Sequence, residues 1–358
     1  MINSTKIILI ACILSAFGMY LTSCNKSDIS EEILETAYDT NYVAIAKALN
    51  TVINDVEARA FIKLEAMKQF DGDYNFLIHD VLEHRFDDGS TFADKLSTGF
   101  DNKEDFINYI KTNRRLQIAI PIHCEEWNST TYIPAVTFID NSYDEQTTKY
   151  VASYNQDGQL IALDAQNEPD VPVVVLSLNE STDDSGRLVH FVTEESNNTA
   201  LDLRVRYDGG NERVTEIQIS NLGTYEGWLK GKPEIRLVVR SAGDDFDDDL
   251  ARPFWKPKRK DAKNGFSTNV SIAGWDRAFY GNALLYTWVE EDGGSPTTIP
   301  ITASYTTISN GTTQTYSVNT AIPVGNNDKE MAYRAISFTE AEPYDYDMGD
   351  FRWEGDMQ

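Results

Sequence analysis

Apolar positions along the chain follow three regimes. From Ile7 to Leu21 they run almost without a break, behind a single Lys6 and ahead of Thr22, Ser23 and Cys24. A membrane-spanning helix needs about 20 apolar residues. This run is shorter and ends in small residues, which fits an export signal. Residues 24–39 are polar and read as a tether. The second regime has helical spacing. Tyr42, Ile45, Ala46, Leu49, Val52, Ile53 and Val56 make one amphipathic stripe, and Ala60, Phe61, Leu64 and Met67 a second that stops at Asp71-Gly72. Phe76, Leu77, Val81 and Leu82 predict a short third helix, and Asn54 or Asp55, Ser90 and Asn102 are suited to cap helices.

At Leu116 the period falls to two: Leu116, Ile118, Ile120 and Ile122 alternate with polar or small residues. Strand patterns continue to Glu340, with turn signals at Asp157-Gly158, Asp208-Gly209-Gly210, Asp292-Gly293-Gly294 and Asn310-Gly311. They include Leu188–Thr193, Leu203–Tyr207, Val214–Ser220, Glu234–Arg240 and Ala283–Val289. The expected fold is α+β: an N-terminal helical region followed by mainly antiparallel β-structure, with a C-terminal β-sandwich. The expected segments are a signal at 1–23, a tether at 24–39, the helical region at 40–115, a β-rich domain at 116–222, the β-sandwich at 234–340 and an acidic tail at 341–358. Gly223, Gly227, Gly231 and Pro233 mark 221–233 as the boundary between the two β parts. Residues 243–265 read as a charged insertion without strands, and the tail as loosely packed.

Charge narrows the classes of partner. Asp and Glu number 57 against 31 Lys and Arg, a net charge of -26. Such a field disfavours nucleic acid and anionic membrane surfaces, and favours solubility and divalent cations. Three cysteines are present. Cys12 lies within the signal and Cys24 at its end, so Cys124 is the one thiol expected in the mature body, buried and inert.

Leu21-Thr22-Ser23-Cys24 resembles the lipobox of bacterial lipoproteins. The resemblance implies diacylglycerol on the Cys24 thiol, cleavage before it, and acylation of the new amino group. Each buried methylene contributes about 0.8 kcal/mol, and two chains suffice for stable attachment. The expected location is therefore the bacterial envelope, with the membrane reached through Cys24. Asn25 and Lys26 do not match the aspartate that marks inner-membrane retention in some bacteria, so by analogy the outer membrane is expected, on its periplasmic or surface face.

Three further stretches together resemble a family of uncharacterised exported lipoproteins of bacteroidete-type bacteria, the domain of unknown function numbered 3103. They are Arg59–Tyr74, Leu116–Ile122 with Glu126-Trp127 and Pro134, and Pro169–Glu180. This resemblance covers residues 40–190 and implies location and a helical-then-β layout, with no activity. From Glu234 the pattern is similar, at fold level only, to calcium-dependent lipid-binding and lectin-like sandwiches.

Candidate chemistry is sparse. His79 and His84 flank Glu83, but a zinc-protease helix needs histidines four apart, and five apart turns them to different faces. His123-Cys124-Glu125-Glu126 places ligand types on alternating faces, so they do not converge. There is no Gly-x-Ser-x-Gly elbow and no phosphate-binding loop. Asp245, Asp247 and Asp249 carry the alternate spacing of calcium loops, making calcium the one cofactor considered, although Leu250 stands where the helix-loop-helix motif needs glycine. Trp255, Trp275 and Trp353 are candidate glycan- or protein-binding rings, with Trp255 and Trp353 expected to be exposed.

Three functional readings follow. The first is a non-catalytic binding role for a glycan or protein through the C-terminal β-sandwich, and aligned exposed aromatics would favour it. The second is an envelope structural or assembly component, favoured by a large flat apolar patch. The third is a hydrolase with a dispersed carboxylate site, favoured by a cleft of converging acids with displaced pKa values.

Overall fold

Val173-Val-Val-Leu176 is an uninterrupted apolar run, and with Ser177 and Leu178 it becomes the strand around which the first half of the protein is built. Such a run suits a strand covered on both faces. The computed structural model describes residues 39–189, 206–309, 312–340 and 344–357. Cys24, the tether, most of Leu188–Thr193 and of Leu203–Tyr207, and Asn310-Gly311 lie outside them. The fold is α+β with mostly antiparallel sheets.

Helices α1 (Thr40–Val52), α2 (Val56–Ala66), α3 (Ile78–Val81), α4 (Phe92–Leu96) and α5 (Lys103–Thr112) come first, with strand β1 (Asn75–Leu77) among them. Strands β2 (Leu116–Ala119), β3 (Ala135–Phe138), β4 (Tyr150–Tyr154), β5 (Leu160–Asp164) and β6 (Val173–Leu178) follow. The sheet order is β1-β2-β6-β3-β4-β5, antiparallel except for β3 beside β6. The helices and the sheet share one core: Ile45, Leu49, Phe61 and Phe92 pack with Ile118, Val136, Val174 and Leu176. Caps set the helix starts. Asp55 accepts from Glu57 N, Asn102 from Asp105 N, and Thr91, with Asp94, forms a capping box one residue after the expected Ser90. On α2 the buried face is Ala58, Phe61, Ile62 and Ala66, while Leu64 is 64% exposed.

The second face of this sheet is covered by part of the segment expected to be the boundary between the two β parts. Trp228 and Leu229 pack on Val151, Val173 and Val175. Residues 226–233 are therefore a largely buried strap.

Strands β7 (Gly210–Ile219), β8 (Ile235–Ser241), β9 (Asp249–Ala251), β10 (Phe254–Trp255), β11 (Phe266–Trp275), β12 (Ala283–Glu290), β13 (Pro296–Ser309), β14 (Thr312–Gly325), β15 (Lys329–Ser337), β16 (Asp345–Asp347) and β17 (Phe351–Met357) form the second half. Two short helices, α6 (Arg259–Asn264) and α7 (Arg277–Tyr280), interrupt them. One sheet runs β10-β8-β12-β15 with β9 also on β8, another β11-β7-β17-β16, and β13 with β14 is a long hairpin. Residues of both larger sheets share a core, among them Ile217, Leu237, Tyr286, Trp288, Phe351 and Trp353.

Two expectations fail here. The segment 243–265 contains β9, β10 and α6. The tail is not loose: Phe351, Trp353 and Met357 are buried in β17, which pairs with β7. The buried Arg206–Glu212 ion pair (2.8 Å) also reaches the Tyr346 hydroxyl (2.9 Å) and helps fix the tail.

Candidate functional site

The three tryptophans proposed from the sequence do not form a surface. Trp255, Trp275 and Trp353 are 4%, 0% and 1% exposed. Trp255 lies 5.7 Å from Trp288 between ring centres, Trp353 stacks on Tyr346 at 4.8 Å, and Trp275 Nε1 donates to Gly281 O at 3.0 Å. Strand pairing draws them inward, because alternate residues of β11 and β17 face the shared core.

The aspartates at 245, 247 and 249 do not converge either. Asp245 is exposed with left-handed backbone (φ 56°), and Asp249 is taken by Arg240 at 2.8 Å and Arg252 at 2.9 Å. The neighbouring basic run points elsewhere. Lys256 pairs with Asp73 (2.7 Å) and Glu234 (2.6 Å), Lys258 with Glu125 (2.7 Å), and Arg259 with Glu168 (2.8 Å). The bonds to Asp73, Glu125 and Glu168 join the second half of the chain to the first. Cys124 is buried, and burial pushes its thiol up to about 12, consistent with an inert side chain. His84 stacks on Phe61 at 3.8 Å and His123 Nε2 meets Pro169 O at 3.2 Å, so neither joins a metal cluster.

A site that sequence reasoning missed lies along the seam between the halves. A chamber of about 30 Å³ opens beside a cleft of about 410 Å³, and both are lined by Ile139, Ser177, Leu178, Glu180, Lys230 and Asp292. The elements that place its side chains are distant in sequence. Glu180 follows the end of β6, and Glu145 lies in the loop after β3. Glu226 and Lys230 sit on the strap, Glu290 ends β12, Asp292 opens the next turn, and Lys329 starts β15 opposite Glu290. Gly231 lets the strap pass close to Asp73: it has φ +112°, and a Cβ there would come within 3.1 Å of the carboxyl. Lys232 N donates to Asp73 Oδ1 at 3.0 Å.

The three stretches quoted above for a family resemblance supply one wall. Asp71 accepts from Asn75 (3.0 Å) and Asn179 (2.6 Å), and Asn179 also donates to Gln117 at 2.8 Å. Glu180 stands at the end of that wall.

Charge at the seam is unbalanced. Eight carboxylates line the chamber and three more line the cleft, against two lysines in the chamber and Arg115 and Lys329 in the cleft. Lys230 reaches Glu180 and lies 3.4 Å from Asp292; Lys329 reaches Glu145 and lies 3.2 Å from Asp292. Neither satisfies Glu226 Oε2 or either oxygen of Glu290, which are buried without a hydrogen-bond partner. A buried carboxylate left unpaired is costly, and its ordinary relief is a proton or a cation.

The pKa displacements follow from this. Burial, then the charge of Glu290, pushes Glu226 well up; burial, then Asp292, does the same to Glu290. Burial raises Asp292 against the pull of Lys230. Burial also raises Glu180, to about 7, with Lys230 opposing. Burial works against the Lys230 ammonium, but Glu180 and Asp292 more than offset it, and its pKa rises. Burial lowers Lys329 to about 8.

Among the described residues, Glu145, Glu226 and Asp292 are the group whose ligand atoms lie within 4.8 Å of one another. Carboxylates alone make a hard, oxygen-only donor set. No helix among the described residues is long and apolar enough to cross a membrane. The chain matches no protein-family model, and no curated protein or solved structure gave a significant match.

Proposed function

We propose that this protein is an exported lipoprotein, anchored to the outer membrane through acyl chains on Cys24, and that its working site is the carboxylate cleft at the seam. Its role there is to bind a ligand carrying positive charge. The observation that carries this reading is the buried Glu226 Oε2 and the two buried oxygens of Glu290, none of which has a hydrogen-bond partner, behind an open cleft. Membership of the exported lipoprotein family named above is part of the proposal, supported by the meeting of its three stretches at the chamber. So are the finer points of architecture: an N-terminal helical region laid on the first sheet, and two C-terminal sheets facing each other as a sandwich, supported by their common core.

The binding role moves from the aromatic residues to the acids. A cleft of about 410 Å³ takes a small polar molecule or the end of a larger one. Amines suit it best, because an ammonium group compensates a carboxylate and donates three hydrogen bonds. The test is thermal unfolding in chelator with spermidine, a glucosamine trimer and a lysine-containing tripeptide, each against its N-acetylated form. The amines are expected to raise the melting temperature and the acetylated forms to leave it unchanged. No shift with any amine contradicts the reading.

One observation favours a second reading, hydrolysis. Glu180 lies where chamber and cleft meet and titrates near neutrality, as a general acid–base group requires. Turnover of nitrophenyl glycosides abolished by Glu180→Gln would establish it, and no turnover would remove it.

A further inference from the structure

We infer that the inner chamber is a calcium site, with Glu226, Glu290 and Asp292 as its carboxylate ligands and Glu145 closing it from the first sheet. The inference rests on the cleft being the working site and names what its deepest part holds.

Position supplies the first argument. Glu145, Glu226 and Asp292 bring oxygens within 4.8 Å of one another from three segments of chain. The second argument is independent of that cluster. Glu290 is 0% exposed, lines the same chamber, and has no partner for either oxygen. A buried acid of this kind needs a compensating group, and both nearby lysines are already occupied by Glu180, Glu145 and Asp292. Each Asp292 oxygen meets one lysine and keeps a further lone pair for an ion.

Geometry and ligand type choose the ion. The chamber, about 30 Å³, is lined mainly by oxygen donors. Magnesium demands near-ideal octahedral geometry and is rarely caged by protein groups alone, whereas calcium accepts many protein oxygens at about 2.3–2.6 Å in flexible geometry. Zinc and copper favour nitrogen or sulfur donors, and none lines the chamber except lysine ammonium groups and side-chain amides. An ion so placed joins the first sheet's loop, the strap and the end of β12, so it would also clamp the two halves.

Titration calorimetry on the processed, detergent-solubilised protein, stripped with chelator and then given calcium, tests this. One calcium per chain is expected, with a raised melting temperature and at least tenfold weaker magnesium binding. Glu290→Gln and Glu226→Gln should each weaken calcium at least tenfold while the protein still unfolds cooperatively. Asp245→Asn, in the acidic loop away from the seam, should bind as the wild type does. Absence of heat and of a melting shift at about 10 mM calcium, above the range of even weak extracellular sites, overturns the inference, as does unchanged binding by both Gln variants. If calcium fails while the amine probes still bind in chelator, this inference falls and the cleft reading stands; if both fail, both fall.

Discussion

Glu290 occupies a place that strand alternation assigns to the core. Leu284, Tyr286 and Trp288 of β12 all enter the C-terminal core, and Glu290 is the next residue of that parity. The signal was present in Leu-x-Tyr-x-Trp-x-Glu, an acid continuing an apolar face. Its meaning was hidden because Glu226, its neighbour in space, comes from a strap with no periodicity. Abundant acids made any chosen pair uninformative until the fold brought these two together. Glu180 allows a prediction from pH. Its folded pKa is raised to about 7, by burial first, with Lys230 opposing and Asp292 and Glu234 adding to the rise. An acid raised on folding favours the folded state at low pH. Its contribution is complete below the ordinary glutamate range and lost as pH rises through about 7. In chelator the wild type should therefore lose stability between about pH 4.5 and 7 more steeply than Glu180→Gln. Equal slopes, read from urea unfolding at several pH values, would show that Glu180 does not carry the effect.

At the scale of elements, the tail gives the clearest lesson. Phe351-Arg-Trp-Glu-Gly-Asp-Met357 has a period of two, with Phe351, Trp353 and Met357 buried, and its acidic residues masked that pattern. The register also shifts between Glu354 and Gly355, a bulge that breaks strict alternation. Trp353 touches Tyr286, Trp288, Tyr346 and Phe351. Trp353→Ala should cost about 3–5 kcal/mol, measured by urea unfolding; a loss below about 1 kcal/mol would mean that the tail is not part of the core. The helix starts at Asp55, Thr91 and Asn102 were legible to within a residue, because capping chemistry is local, whereas Phe76 and Leu77, expected in a third helix, form β1 instead. Thr91 with Asp94 forms the box at α4, and Thr91→Ala should cost about 1 kcal/mol.

For the whole molecule, the sequence marked the change from helical to strand spacing at Leu116 but not the joining of the halves. Gly223, Gly227, Gly231 and Pro233 marked 221–233 as a boundary, yet Trp228 and Leu229 bury its second part against the first sheet. Lys256, in the basic run that follows the acidic loop, reaches Asp73 and Glu234. Its side chain is 2% exposed, so removing it leaves two buried carboxylates uncompensated. Lys256→Met should cost about 3–5 kcal/mol and make limited proteolysis near 221–233 faster; wild-type stability and digestion would show that the seam does not depend on it. The anchor is a separate matter. Cys24→Ala should move the protein from the membrane to the soluble fraction or leave it unprocessed, and unchanged fractionation would contradict the lipid anchor.

The central claim is that the seam carries more negative charge than it can neutralise by itself. Glu290→Gln tests it directly. The glutamine amide is close in shape to the carboxyl group and offers Glu226 an N–H in place of a second acid. Folding would then no longer bury two facing carboxylates. The measurement is the melting temperature of the variant against wild type at pH 7.5 in chelator. Glu290→Gln is expected to melt at or above the wild type. A fall of several degrees would mean that the Glu290 carboxylate is already well compensated, and would contradict the claim.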